Sequence, residues 1–306
     1  MIASVGLWVL DTTLRMHHLP EGGESIAISA VEVSEGGKAA NQIVAAARLG
    51  ASTALLGTVG TETDWVDPLH TLRSAGVDVR YLRKIDDQRN GFSIILLTDS
   101  GEQTIATYSG PGESIDVEQT LAELEDLGAT TLLLQGETDV ETTIALAKAF
   151  LGRVIFDPSP VPSFVNRDLS FADILTPNWN EAKELTQLGS PTATNVREAT
   201  GAKCVILTSG SKGVDVANES GSFKVSATEV RVVDPSGAGD AFNGALATAL
   251  DQGHDLEYAV HFANEVATWS VQRMHCIPSY PMLHEISDLI PASLQGVLPT
   301  IKENSS

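Results

Sequence analysis

The chain has 306 residues, is 42% hydrophobic and carries a formal charge of −21. Its apolar content suffices for a buried sheet, no run reaches the roughly 18 apolar residues of a membrane span, and the acidity argues against nucleic acid and anionic membranes as partners. The two cysteines, Cys204 in an apolar run and Cys276 near a loop, suggest a reducing cytoplasm.

Short apolar runs alternate with helical periodicity from end to end. This predicts an α/β fold: a doubly wound, mostly parallel sheet with helices on both faces, and no linker that would split 1–306. The opening run Ile2–Leu10 lacks a basic leader region and reads as a first buried strand, 2–10. Segment 24–33 is strand-like without a covering helix. The pair Gly36-Gly37 then opens an apolar helix over 38–49, placing free N–H groups, the Lys38 cation and the Asn41 amide at one helix end. That suits a polyhydroxylated ligand, since each hydroxyl needs a donor and an acceptor; the plainer alternative is solvated first-turn residues. A strand over 52–59 and a helix over 64–75 follow. Segment 91–108 is again strand-like, with a hairpin turn at Gly101-Glu102, and without helices these two segments are either an edge extension or a separate cover.

Further on, the pattern predicts strands at 131–135, 153–157, 173–176 and 203–208, and helices at 116–124, 139–150, 180–187 and 191–200. Asn178 and Glu181, three apart at a helix start, read by pattern as a capping box. The loop Leu207–Gly213 follows the strand 203–208. Helices are expected over 239–251, 256–272 and 281–289, with a frayed tail at 302–306. The most informative segment is Asp234–Gly244. Phe242, Ala245, Leu246, Ala249 and Leu250 make one apolar helix face, so Gly237-Ala238-Gly239 sits where a loop becomes a helix N-terminus. Unpartnered amides and the helix dipole there attract an anion. The Asp240 carboxylate is out of place in such a site unless it takes a proton from an incoming hydroxyl; the plainer alternative is a capped turn.

Asp234-x-x-Gly-Ala-Gly-Asp-Ala-Phe-Asn-Gly resembles the C-terminal signature of the ribokinase-like sugar kinases, the phosphofructokinase-B family. Gly36-Gly37-Lys38-Ala39-Ala40-Asn41-Gln42 resembles its N-terminal signature, with Ala39 where glycine is usual. The matches run from residue 2 to about residue 280 and are closest in pattern to ribokinase. The resemblance implies ATP-dependent phosphorylation of a sugar primary hydroxyl. Asp240 would be the base, and the amides of Gly237, Ala238, Gly239 and Asp240 the anion hole. Asp11, Gly37, Lys38, Asn41 and Glu137 would meet the sugar. Asn178, Thr208, Gly210, Gly213, Gly239 and Asn264 would meet ATP, though Asn264 reads equally as a solvated helix residue. Glu181 would act on Mg2+ through water, and a monovalent cation such as K+ would sit near Asp234, Ser236, Ser270, Arg273, His275 and Ser279. Ribokinases usually carry Asn two residues before the sugar-binding Asp; Val9 stands there. The resemblance also implies a β-sheet lid near 11–35 and 91–110, often used for dimerisation. Fructose, 2-keto-3-deoxygluconate and nucleosides stay open as substrates beside ribose, as does a catalytically silent sugar-binding regulator. A dinucleotide-binding dehydrogenase is set aside, because no Gly-x-Gly-x-x-Gly follows the first strand.

Overall fold

In the computed structural model, residues 1–62, 69–113 and 115–286 are described. The first apolar run does not form one strand. It builds β1 (Ile2–Val5), bends through Gly6–Trp8, and continues as β2 (Val9–Met16) in a different sheet. Gly6 permits the bend's close packing: a Cβ there would lie 2.8 Å from that of Ala39. After β3 (Ala30–Gly36) come α1 (Lys38–Arg48), β4 (Thr53–Glu62), α2 (His70–Ser74) and β5 (Leu82–Arg89). The hairpin β6 (Phe92–Thr98) and β7 (Gln103–Tyr108) leads to α3 (Val117–Asp126), β8 (Thr131–Gln135), α4 (Val140–Ala149) and β9 (Arg153–Asp157). Next are β10 (Ile174–Leu175), α5 (Trp179–Thr186), α6 (Ala193–Thr200), β11 (Cys204–Thr208), β12 (Val214–Asn218) and β13 (Gly221–Val225). The described chain closes with α7 (Ala238–Asp251), α8 (Leu256–Ser270) and α9 (Leu283–Ile286).

The large sheet has the order β13-β12-β11-β10-β9-β8-β1-β4-β5, parallel throughout except at one edge, where β12 runs antiparallel to both β11 and β13. Alternate strand residues feed two cores. Ile2, Leu55, Leu133, Ile155 and Ile206 face α1, α7 and α8, while Val5, Leu56, Leu134, Phe156 and Leu207 face α3 to α6. The second sheet, β3-β2-β6-β7, is separate, so the two helix-free segments form a cover of their own and not an edge extension. Its β3 begins at Ala30, later than the strand-like run suggested, because 24–29 has no ladder partner.

Three strands escaped the sequence reading: β5, β12 and β13. β5 contains Arg83-Lys84 and Asp86-Asp87 and lies at an edge, where a polar composition protects against further pairing. Part of the expected helices 64–75 and 281–289, and all of the tail 302–306, lie outside the described residues. Among the described residues no helix is long and apolar enough to cross a membrane.

Candidate active site

The chain leaves β1 toward β4 and β5 on one side and enters β8 to β11 on the other, so the sheet order switches at β1–β8. In open α/β sheets the crevice beyond the carboxyl ends of the strands at such a switch is where ligands bind. Gln135 ends β8 and Glu137 follows it, Asp157 ends β9, Thr176 follows β10 and Thr208 ends β11, all at those carboxyl ends.

Two helix N-termini converge on the same place. Gly37 caps α1 at φ 91° and Gly237 caps α7 at φ 72°, backbone conformations that a Cβ would strain. A Cβ on Gly37 would fall 2.5 Å from the Leu7 carbonyl oxygen, and one on Gly237 would fall 2.6 Å from the Tyr280 hydroxyl. The helices themselves touch at Gly244, where a Cβ would meet the Gln42 carbonyl oxygen at 2.5 Å. That close approach puts the first turn of α1 against the first turn of α7. Asn41 Nδ2 donates to Asp240 Oδ2 at 3.0 Å, and Gln42 Nε2 donates to Asp240 Oδ1 at 3.1 Å. Asp240 is 5% exposed.

Asp157, absent from the sequence-level site, is the second buried carboxylate. Its Oδ2 accepts from Gln42 at 3.0 Å and Asn243 at 3.4 Å, and lies 3.5 Å from Lys38 Nζ. Lys38 Nζ is 4.0 Å from Asp240 as well. Burial opposes the charge on Lys38, but Asp157, Asp240 and Glu137 outweigh it and push its pKa above the usual lysine value. Burial raises the Asp240 carboxyl above its ordinary value, with Lys38 opposing and Asp157 adding to the rise. Glu137 is pushed up to about 7, chiefly by burial; its Oε2 accepts the Lys38 backbone N–H at 2.9 Å. Lys38 and Asn41 are therefore not solvated first-turn residues.

Asp11 on β2 lies over Gly36, whose missing Cβ leaves the room: an added one would sit 2.0 Å from Asp11 Oδ2. Its carboxyl is pushed up to about 6, first by burial, against a hydrogen bond from Ser93 and with the Asp240 charge adding to the rise. Val9 is buried, and its Cγ1 is 2.8 Å from where a Cβ on Gly91 would be.

A cavity of about 140 Å³ is lined by Lys38, Asp157, Asn178, Glu181, Gly237, Gly239 and Asp240 among others. It adjoins one of about 740 Å³, with which it shares Asn178, Thr208, Ala238 and Gly239. Gly210, Gly213, Val230 and Asn264 line the larger one. Asn264 is thus not a solvated helix residue: it is 7% exposed and donates to the Ser226 carbonyl at 3.2 Å. Asn178 and Glu181 do form a reciprocal capping box, with the Asn178 N–H 2.7 Å from Glu181 Oε2. Burial, and then the Asp157 charge, raise the Glu181 carboxyl. At the head of α7 the Ala238 N–H points to the Pro235 carbonyl at 3.3 Å, leaving Gly239 and Asp240 as first-turn amides with no acceptor inside the helix.

Of the six candidate cation positions, Asp234, Ser270, Arg273, His275 and Ser279 have side chains engaged with other groups of the protein. Asp234 accepts from the N–H groups of Ser236 and His275 at 2.9 Å each, tying two loops together. Ser270 and Ser279 donate to the carbonyls of Ala267 and Cys276, and Arg273 lies over the Trp269 ring. With those side chains engaged, a cation there would have to draw its oxygen donors from the backbone. His275 occupies φ 68°, unusual for a residue with a side chain, and its Nε2 lies 3.5 Å from Glu32 on β3. For magnesium, no group of three His, Cys, Asp or Glu side chains among the described residues is arranged to hold a metal ion, and the narrow cavity offers the Glu181 and Asp157 oxygens. Such a set fits a hydrated ion carried by phosphates more than a protein-built cage.

The model of the pfkB family carbohydrate kinases matches residues 1–283. The chain belongs to the pfkB carbohydrate kinase family. It is a phosphotransferase of the ribokinase-like type. Among its relatives, the ribokinase of Bacillus subtilis is 30% identical over 293 residues, covering 94% of this chain and 99% of that one. The crystal structure of Thermotoga maritima ribokinase superimposes with a TM-score of 0.83 at 31% identity, covering 94% and 98% of the two chains. Arabidopsis thaliana ribokinase, solved with ribose and ATP, gives 0.81 at 26% identity, covering 95% and 98%.

Proposed function

We propose that this kinase transfers the γ-phosphoryl group of ATP to the primary hydroxyl of a small sugar, ribose or a related pentose or ketose. The observation that carries the reading is Asp240: a buried carboxylate in the first turn of a helix whose N-terminus otherwise attracts anions, lining a narrow polar cavity that adjoins a larger one. Its raised pKa makes it a better base than an exposed aspartate. Asn41 donates to it, and its own Oδ1 is buried with no protein partner. Asp11, Gly37, Lys38 and Glu137 complete the sugar's surroundings.

ATP would lie in the larger cavity between Gly210, Gly213 and Asn264, its phosphates near Asn178, Thr208 and the head of α7. Asp240 accepts the hydroxyl proton as the new oxygen–phosphorus bond forms in a loose transition state. Lys38 and the amides of Gly239 and Asp240 balance charge on the transferring oxygens. Magnesium, held near Glu181 through water, would supply further neutralisation of the phosphates. A monovalent ion such as K+ would steady the Asp234 and His275 loops beside the anion hole. On this reading 1–306 acts as one kinase domain, dimerising through the small sheet, and its two free cysteines suit the cytoplasm.

Val9, in place of the usual Asn, gives an apolar wall, so fructose, 2-keto-3-deoxygluconate and nucleosides belong in the test. Turnover of ATP with magnesium should be followed across these and ribose, 2-deoxyribose and other pentoses. A pentose or ketose should give the highest kcat/KM, and Asp240→Asn should lower kcat by several orders of magnitude with little change in ATP affinity. An Asn variant keeping a tenth of parental kcat would remove Asp240 as the base. Tight sugar binding without turnover on any substrate would favour a silent regulator.

A further inference from the structure

Gln42 has no contact with sugar or nucleotide in the reading above, yet it joins the two buried carboxylates. It is 1% exposed, and its Nε2 donates to Asp240 Oδ1 at 3.1 Å and to Asp157 Oδ2 at 3.0 Å. A primary amide nitrogen carries two hydrogens, so each carboxylate takes one. The amide is also held against flipping. Its Oε1 accepts from Gln135 Nε2 at 2.9 Å, and Gln135 Nε2 is directed at Ser4 Oγ at 3.3 Å. Ser4 Oγ in turn points to the Leu133 carbonyl at 3.5 Å. A chain of donors thus leads from Gln135 at the end of β8 through Gln42 to the carboxylates, with Ser4 on β1 holding Gln135 in place. A flipped Gln42 would aim its oxygen at two anions and face the Gln135 donor with another donor.

We propose that Gln42 is a positioning residue for phosphoryl transfer, fixing the plane of the Asp240 carboxylate so that a free lone pair meets the acceptor hydroxyl. The inference rests on Asp240 being the base. Asn41 anchors Oδ2 and Gln42 anchors Oδ1; with only one anchor, the group can rotate about its own bond. Gln42 also supplies a shared donor to two anions that have Lys38 as their common cation. The other titratable groups whose charge bears on Asp240 are Glu137, Asp11, Cys276 and Tyr280, and none of them replaces that donor.

Gln42→Met keeps the length and removes the donor. Its kcat should fall on the order of 10²-fold, as for a misplacement of about 1 Å. KM for sugar and for ATP should stay within about threefold of the parent, the scale of a context effect and far from the loss of a binding contact. The acid limb of kcat against pH should move upward, because a donor to the charged carboxylate is gone. Gln135→Met touches neither carboxylate but frees Gln42 to flip, and should shift kcat and the acid limb the same way by less. Thermal melts establish that each variant is folded; if Gln42→Met does not fold, the Gln135 variant decides. An unmoved acid limb, with kcat falling only as far as the folded fraction, would make Gln42 a packing residue and overturn the proposal. Asp240→Asn is assayed alongside. If it is inactive while folded Gln42→Met keeps parental kcat, the positioning role fails and the base stands. If Asp240→Asn stays active, the base reading fails and the positioning role goes with it.

Discussion

Asp11 shows how burial sets both binding and stability at one residue. On the proposed reading only its charged form would accept hydrogen bonds from two sugar hydroxyls, and its carboxyl is pushed up to about 6. Sugar KM should therefore fall as pH rises through about 6. Asp11→Asn should abolish that dependence and weaken sugar binding by one to several orders of magnitude, since a charge-assisted hydrogen bond is worth roughly 1.5–3 kcal/mol. Equal damage to ATP and sugar KM would assign Asp11 to the fold instead. The stability effect has the opposite sense. The unfolded carboxyl titrates near 3.9, so between about 4 and about 6 the folded state holds a proton that the unfolded state has released, and stability falls as pH rises through that window. The melting temperature of Asp11→Asn should exceed the parent's by more at pH 7 than at pH 4. A difference that does not grow with pH would show that the carboxyl ionises normally in the folded state.

At the scale of elements, the site exists because α1 and α7 can touch. Gly244→Ala would place a methyl group 2.5 Å from the Gln42 carbonyl oxygen, a rigid backbone atom. The helices must part, at a cost of about 1–3 kcal/mol, and the Asn41 and Gln42 bonds to Asp240 lengthen with them. Thermal melts should show the loss, and kcat should fall further than either KM rises. Gly239 lies in the same helix with open space where a Cβ would go. Gly239→Ala should leave the melting temperature within a degree or two of the parent or above it, since alanine favours a helix. A similar drop in both variants would mean that α7 tolerates no added methyl anywhere. The contrast also explains what was legible in the sequence. Asp240, Lys38 and Asn41 could be read because glycines and apolar periodicity mark a helix start locally. Asp157 stands 115 residues from Gln42 in the chain, and nothing near either position signals that they meet. A carboxylate ending a buried parallel strand was the available clue. The bend at Gly6–Trp8 was equally hidden, because the run Ile2–Leu10 is apolar on both sides of it and differs only in which sheet its ends pair with.

At the scale of the whole molecule, the small sheet leaves a group of apolar side chains uncovered on one face. Val33 and Ile94 flank Thr12 in register, and Val31 flanks Leu14 two positions along, so the three share a face. Val31 is 61% exposed and Val33 46%. Tyr108 lies on that face opposite Phe92 and is exposed as well. Contiguous apolar side chains on a sheet are seldom left to water, and a molecule with a net charge of −21 brings copies together only where charge is sparse. This face has that character, which supports dimerisation through the lid. Sedimentation velocity at micromolar concentration should give a dimer, with the association strengthening as salt screens the acidic surfaces. Val31→Glu combined with Val33→Glu should convert it to monomer while the melting temperature changes little, since neither side chain belongs to the buried cores. Because Asp11 and Ser93 lie on β2 and β6 of the same small sheet, the monomeric variant should show a higher sugar KM and an unchanged ATP KM. A double variant that sediments as the parent does would place any dimer contact elsewhere on the molecule.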